Sequence, residues 1–278
     1  MATPGGAGPS TADDSVQFIG TATVLIRHAG MTILTDPNFL HQGQRAPLGY
    51  GLSSERLTEP AISLENLPPI DLIVLSHLHG DHFDPLVEQR LDRNIPIVTT
   101  PAAAAYLSSI GFKTTRGLGT WQSLTVRKGD ATLRIAAMPA RHGPAAAAFL
   151  LPQTMGSMLD FSRGNALPAY RLYISGDTLV FDQIEDIPLR FPDVDLALLH
   201  LGGTRILGLV KVTMDGKDGV AMLKIVAPKK AIPIHYNDYT VFHSPLSEFE
   251  REVNAAGFKD RVVYLQPGAS YPLLPRMR

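Results

Sequence analysis

Residues 76–82 read Ser76-His77-Leu78-His79-Gly80-Asp81-His82 and directly follow the apolar run Asp71-Leu72-Ile73-Val74-Leu75. The run has the length and composition of a buried strand. At its end stand three imidazoles and a carboxylate within six positions. A packed core does not tolerate that density, because each such group taken from water needs a partner. The fold must therefore open a polar, ligand-bearing site at this strand end. The alternating spacing lets His77 and His79 converge on one ion while Asp81 and His82 turn towards a second. Imidazole nitrogen and carboxylate oxygen suit zinc and its neighbours.

Three further polar residues stand in turn-like settings after apolar runs: His142 in Ala140-Arg141-His142-Gly143-Pro144, Asp177 in Ser175-Gly176-Asp177-Thr178, and His235 in Pro233-Ile234-His235-Tyr236. Functional residues favour such loops on a rigid scaffold. His200, in Leu199-His200-Leu201-Gly202-Gly203, also follows an apolar run and is placed to reach the site as a proton donor or a substrate contact.

The rest of the chain bounds the class. Its 278 residues, 45% hydrophobic and 18% charged, supply a sizeable core, and a net charge of -1 gives no pull toward nucleic acid or anionic membrane. With no cysteine, thiolate ligands and disulfides are excluded. Residues 1–14, rich in Gly, Ala, Pro, Ser and Thr, read as a disordered tail without the pattern of a secretory signal, and 15–278 as one domain. No apolar run reaches the roughly 20 residues of a membrane span. No transmembrane segment is therefore expected, and a cytoplasmic location is the default.

Hydrophobic patterning predicts strands at 16–26 and 32–35 around a turn at 28–30, then a long Gly- and Pro-rich loop over 36–69. A helix at 85–91 capped by Asp84, a strand at 97–99 and an Ala-rich helix at 101–110 follow. The pattern restarts with a hairpin over 124–137 and strands at 147–151, 172–174 and 196–199. A helix at 178–184, a helix at 215–226, a strand at 231–234, a helix at 245–254 and a strand at 262–265 complete it. Strands followed by strand–helix alternation, twice over, point to two sheets packed face to face with helices outside. The segment 152–169 reads as a second long loop. Its Met155, Met158, Leu159 and Phe161 suit a large, apolar or variable ligand.

With these residues in place the chain resembles the metallo-β-lactamase superfamily. The motif His-x-His-x-Asp-His is complete as His77, His79, Asp81 and His82, and His142, Asp177 and His235 follow in the family's order. The resemblance implies an αββα sandwich of two mixed sheets with the site at one edge. It implies that His77, His79 and His142 hold one divalent ion, that Asp81, His82 and His235 hold another, and that Asp177 bridges them. Zn2+ is the expected ion, with Mn2+ and Fe2+ compatible with the same ligands. Asp36, in Thr35-Asp36-Pro37, resembles the family's acid that steadies a metal-bound histidine from behind. Within the superfamily, Gly20-Thr21-Ala22-Thr23, Leu34-Thr35-Asp36-Pro37 and residues 67–77 are most similar to the branch of N-acyl-phosphatidylethanolamine phospholipase D and the L-ascorbate-6-phosphate lactonases. Thr21 and His200 depart from that branch's pattern.

The function so implied is a two-metal hydrolase acting on a phosphodiester, with Asp81 both binding metal and orienting the attacking hydroxide. The alternative is a lactonase or carboxylic-ester hydrolase with the same ligands; a metal-stabilised binding protein is the non-enzyme reading. The expected partner is a small-molecule or lipid-like substrate. Nucleic acid is not expected, and a homo-oligomer is compatible with the sequence.

Overall fold

The computed structural model describes residues 14–146, 151–163, 168–206 and 208–274. The chain opens with an antiparallel meander, β1 (Ser15–Gly20), β2 (Thr23–His28) and β3 (Met31–Thr35). A small hairpin, β4 (Arg45–Gly49) and β5 (Leu52–Glu55), comes next, then β6 (Leu72–Val74), α1 (Pro85–Arg90), β7 (Ile97–Thr99), α2 (Pro101–Ser109) and β8 (Thr115–Gly117). The second half runs β9 (Ser123–Lys128), β10 (Ala131–Met138), β11 (Gly156–Arg163), β12 (Tyr170–Ile174), α3 (Asp186–Arg190) and β13 (Leu196–His200). A second small hairpin, β14 (Arg205–Ile206) and β15 (Val210–Lys211), precedes α4 (Gly216–Val226), β16 (Lys230–Ile234), α5 (Leu246–Ala255) and β17 (Ser270–Pro272).

These strands form a seven-stranded sheet, β17-β1-β2-β3-β6-β7-β8, and a six-stranded one, β16-β13-β12-β11-β10-β9. The period of two along each strand decides the layering. On β2, Val24 and Ile26 face the core shared by the sheets while Leu25 faces α1 and α2. On β13, Leu196 and Leu198 enter the shared core and Ala197 and Leu199 the layer under α3, α4 and α5. Both faces of both sheets are covered, which gives the expected αββα sandwich of mixed sheets. In the first sheet β3, β6 and β7 run parallel; in the second β12, β13 and β16 do, with β10 aligned to them through antiparallel β11. Asp84 caps α1 by accepting from Val87 N, with Pro85 at the first position, as its sequence predicts.

Several expectations are corrected. The loop foreseen over 36–69 contains the hairpin β4–β5. The segment 152–169 is not one long loop: Gly156–Arg163 form β11. Met158, Leu159 and Phe161 lie on β11, at the middle of the second sheet, and with Met155 they are buried in the cores on its two faces. They cannot touch a substrate. No helix covers 178–184; a 3-10 turn at Asp182–Glu185 and α3 stand later. The strand expected at 262–265 reduces to one bridge between Ala231 and Val262, and the first sheet is closed instead by β17 against β1. The expected tail at 1–14 lies outside the described residues except Asp14, and the strand expected at 147–151 except Leu151.

Candidate metal centre

The parallel strands of both sheets end on one side of the sandwich, and the polar residues singled out in the sequence leave those ends. Asp36 follows β3 and the histidine-rich heptad follows β6. His142 lies in the loop after β10, Asp177 three residues after β12, His200 is the last residue of β13, and His235 follows β16. Two of these turns hold non-glycine residues at positive φ, Asp36 at 33° and His235 at 62°. Such backbone persists where surrounding structure over-determines it. Here Asp36 is fixed by four hydrogen bonds and His235 N by Thr21 O at 2.8 Å.

The side chains converge tightly. His77 Nε2 lies 3.0 Å from His79 Nδ1, and His142 Nε2 lies 3.2 Å from the same atom. On the other side His82 Nε2 lies 3.1 Å from His235 Nε2 and His235 Nε2 lies 3.3 Å from Asp81 Oδ2. Asp177 sits between the two groups, its Oδ2 3.3 Å from His82 Nε2 and 3.9 Å from His77 Nε2. His77, His82 and His235 are fully buried, and His79, His142, Asp81 and Asp177 nearly so.

The outward-facing ring nitrogens explain why these contacts call for a cation. His142 Nδ1 donates to Val212 O at 2.9 Å, His235 Nδ1 to Leu201 O at 3.2 Å, and His82 Nδ1 to Asp36 Oδ2 at 2.9 Å. Ser76 Oγ donates to Asp36 Oδ2 at 2.8 Å, so it accepts from His77 Nδ1 at 2.9 Å. Each of these rings thus directs its Nε2 inward; in the neutral, metal-binding form those nitrogens are lone pairs about 3 Å apart, which repel unless a positive charge lies between them. Asp81 Oδ1 and Asp177 Oδ1 are also buried without a hydrogen-bond partner, a costly state that an ion would relieve. The donor set fits divalent ions in three overlapping groups: His77 with His79 and His142, Asp81 with His82 and His235, and Asp177 with His77 and His82.

The two sides differ electrostatically. Burial, reinforced by His142, pushes the His79 imidazole down to about 3, and burial also lowers His77 and His142. Those three rings are neutral and ready to bind. Burial acts the same way on His82 and His235, but Asp177 and Asp81 overcome it and both rings are raised. Burial would raise the Asp81 carboxyl; His82 and His235 hold it at about 2.

Asp36 is the hub behind this layer. It accepts from Ser76 N at 2.6 Å, Ser76 Oγ, His82 Nδ1 and, at 3.4 Å, His200 Nε2. Burial disfavours its charge, yet the His200 and His82 hydrogen bonds hold the carboxyl well below the usual range. His200 is fully buried behind Asp36 and does not line the cavity above the cluster. The expected substrate contact or proton donation by His200 does not fit this placement, which sets it against Asp36 instead. His200→Ala should weaken metal binding about tenfold, the lower range for such outer partners, in a chelator competition. Collapse of turnover with metal affinity intact would restore a direct role.

Sequence reasoning missed two features. Asn38 Nδ2 donates to Gly80 O at 2.8 Å, and buried Arg56 reaches the Asn38 carbonyls, so this pair braces the heptad from below. The hairpin β4–β5 lies against the heptad, with Gly80 N donating to Pro47 O at 2.9 Å. The one local signal for it was Gly49-Tyr50-Gly51, a turn sequence.

The beta-lactamase superfamily domain matches residues 32–236. A UPF0173 metal-dependent hydrolase of Archaeoglobus fulgidus is 32% identical over 265 residues, covering 92% of this chain and 97% of that protein. One from Thermococcus onnurineus is 29% identical over 200 residues, covering 71% of this chain and 80% of its own. Among solved structures, an isothiocyanate hydrolase from Delia radicum gut bacteria superposes with a TM-score of 0.76 at 21% identity, over 92% of this chain and 98% of its own. A possible metal-dependent hydrolase from Veillonella parvula gives 0.76 at 20%, over 93% and 99%. At such identity these two structures speak for the fold.

Proposed function

The chain belongs to the beta-lactamase superfamily and carries the His/Asp cluster of a metal-dependent hydrolase, and we propose that it hydrolyses a lactone or carboxylic ester at two divalent ions, most suitably Zn2+. The observation that carries this reading is the inward convergence of five imidazoles, with ring nitrogens about 3 Å apart, on unpartnered carboxylate oxygens. His77, His79 and His142 would hold one ion, Asp81, His82 and His235 the other, with Asp177 shared. Bound there, such ions lower the pKa of water to about 7 and polarise the scissile bond.

The chain's own residues do the rest. Val212 O, Leu201 O and the Asp36–Ser76 pair fix each ring so that its lone pair points inward. Asp81 Oδ1, free of hydrogen bonds, is placed to accept a proton from the attacking water.

The choice of scissile bond rests on the cavity above the cluster. Apart from the histidines, the one cationic side chain among its described lining residues is Arg205, which is exposed. Lys211 nearby is neutralised by Asp215 and Asp218 at 2.7 and 2.6 Å. Nothing buried in the described lining matches a phosphate, which favours the uncharged carbonyl substrate over the phosphodiester. The same reasoning supports the lactonase side of the branch that the sequence resembles.

The test sets protein of measured metal content against γ-butyrolactone, p-nitrophenyl acetate and bis(p-nitrophenyl) phosphate, beside His79→Ala. Metal-dependent turnover of the first two that vanishes in the variant is expected. Turnover of the phosphodiester alone by the two-metal protein would overturn the choice of bond.

A further inference from the structure

The cavity above the metal cluster has a volume of about 640 Å³, within the roughly 300–1,000 Å³ range of small-molecule sites. Its floor is polar: His79, Asp81, His142 and Asp177. Its walls are mostly aliphatic, with Ser53, Thr204 and the exposed Arg205 among them, and they come largely from the two small hairpins outside the main sheets. Leu48 and Leu52 belong to the β4–β5 hairpin; Ile206 and Val212 belong to the β14–β15 hairpin and its exit; Leu151 and Val241 complete the enclosure. The apolar character continues outward. Tyr50, which lines the cavity, is 77% exposed, and Leu209 at the tip of the other hairpin is 80% exposed. Exposed apolar side chains on hairpins that flank a cavity suit a ligand-binding groove or an interaction site.

The walls are also pre-formed. The first hairpin is tied to the heptad through Gly80 and Pro47 and to residues 240–241 through Ser54, whose Oγ accepts from Val241 N at 3.0 Å. The second is closed by Val212 N donating to Thr204 O at 2.9 Å and Thr204 N to Thr213 Oγ1 at 2.8 Å. A preorganised apolar slot above a polar floor selects a ligand of matching polarity along its length.

We propose that this slot is an alkyl- or acyl-chain site, so that the substrate carries an uncharged hydrocarbon group held between the two hairpins while its reacting ester lies on the histidine floor. The proposal rests on the hydrolase reading for the reacting group, but the slot itself binds hydrocarbon with or without turnover. Leu52 and Ile206, one from each hairpin and both partly exposed, are the specificity-determining positions.

The experiment uses the metal-loaded full chain and γ-lactones that differ only in a methyl, butyl or octyl side chain. Burial of each added methylene should raise kcat/KM by about two- to fourfold until the slot is filled. A second readout needs no turnover: the uncharged fluorophore 1-N-phenylnaphthylamine should brighten on binding and be displaced by nonan-1-ol. Leu52→Asp and Ile206→Asp place a carboxylate where the chain lies. Each should flatten the chain-length slope and weaken fluorophore binding at least tenfold, with metal content retained.

A flat slope together with fluorophore binding that both variants leave intact would overturn the proposal. Fluorophore binding that the variants abolish, with no lactone or ester hydrolysed, would uphold the slot and sink the bond assignment instead. Co-sedimentation with phosphatidylcholine vesicles would identify the hydrocarbon as a lipid chain. Hydrolysis of the dissolved octyl lactone without co-sedimentation would identify a free small molecule.

Discussion

Asp177→Asn should leave a folded protein that retains at most one ion per chain and loses more than about 100-fold in turnover, beyond the 10–100-fold that outer partners cost. The substitution keeps the shape of the side chain and removes its charge. Asp177 Oδ2 lies 3.3 Å from His82 Nε2 and 3.9 Å from His77 Nε2, so it is the atom common to both groups of donors. Burial penalises its charge, yet His235 and His82 hold the carboxyl well below its ordinary value. An amide offers one oxygen without charge and presents N–H groups where a lone pair is needed. Elemental analysis of bound metal, run beside turnover, decides the matter; two ions per chain in the variant would remove Asp177 from the centre.

The same variant carries a pH signature in the metal-free protein. His82 and His235 have raised pKa values because Asp177 and Asp81 outweigh their burial. A histidine raised in the folded state stabilises it fully below the unfolded value near 6.5, and that contribution fades as pH climbs through the folded value. Metal-free wild type should therefore exceed Asp177→Asn in stability most between about pH 4 and 6, with the gap closing at alkaline pH as the rings lose their protons and in acid as Asp177 gains one.

Gly176→Ala is expected to produce the second large loss, this time through the backbone. Gly176 has φ of +61°, and a Cβ there would meet Met155 O at 2.5 Å and Ser76 Cβ at 3.3 Å. Left-handed backbone costs a residue with a side chain about 1–2 kcal/mol, and forcing an atom into a packed site about 1–3 kcal/mol more. For a chain of this size the sum corresponds to a fall in Tm of roughly 5–15 °C. The shift would also displace Asp177, so metal affinity should fall with Tm. Gly51→Ala is the control: φ is +73° but nothing lies within 4 Å of the added atom, so strain acts alone. Equal losses in the two variants, measured by calorimetry, would refute the steric account.

The metal cluster was legible because its chemistry is written in residue types. Four ligand-capable side chains in six positions after an apolar run have no other economical explanation, and His142, Asp177 and His235 repeat the strand-then-ligand grammar. Asp36 was legible through its Asp-Pro turn. The hairpin β4–β5 was not, since Arg45-Ala46-Pro47-Leu48-Gly49 shows neither alternation nor branched residues, and its pairing depends on tertiary contacts such as that between Pro47 and Gly80. β11 was misread for the opposite reason. As a central strand it is buried on both faces, and Ser157, Asp160 and Ser162 break up its apolar residues, so no period-two alternation marks it as a strand. Nothing in the sequence marks Arg56, yet it is fully buried against Asn38 and Thr58. A single sequence carries no sign of which cation has been enclosed.

The converging donors are contributed from both halves of the sandwich: the heptad from the end of β6 in the first sheet, His142, Asp177 and His235 from β10, β12 and β16 in the second. An ion seated among them is bonded across the seam, and the sheets cannot part while those bonds last. Metal binding there would stabilise the folded chain against unfolding as well as complete the site.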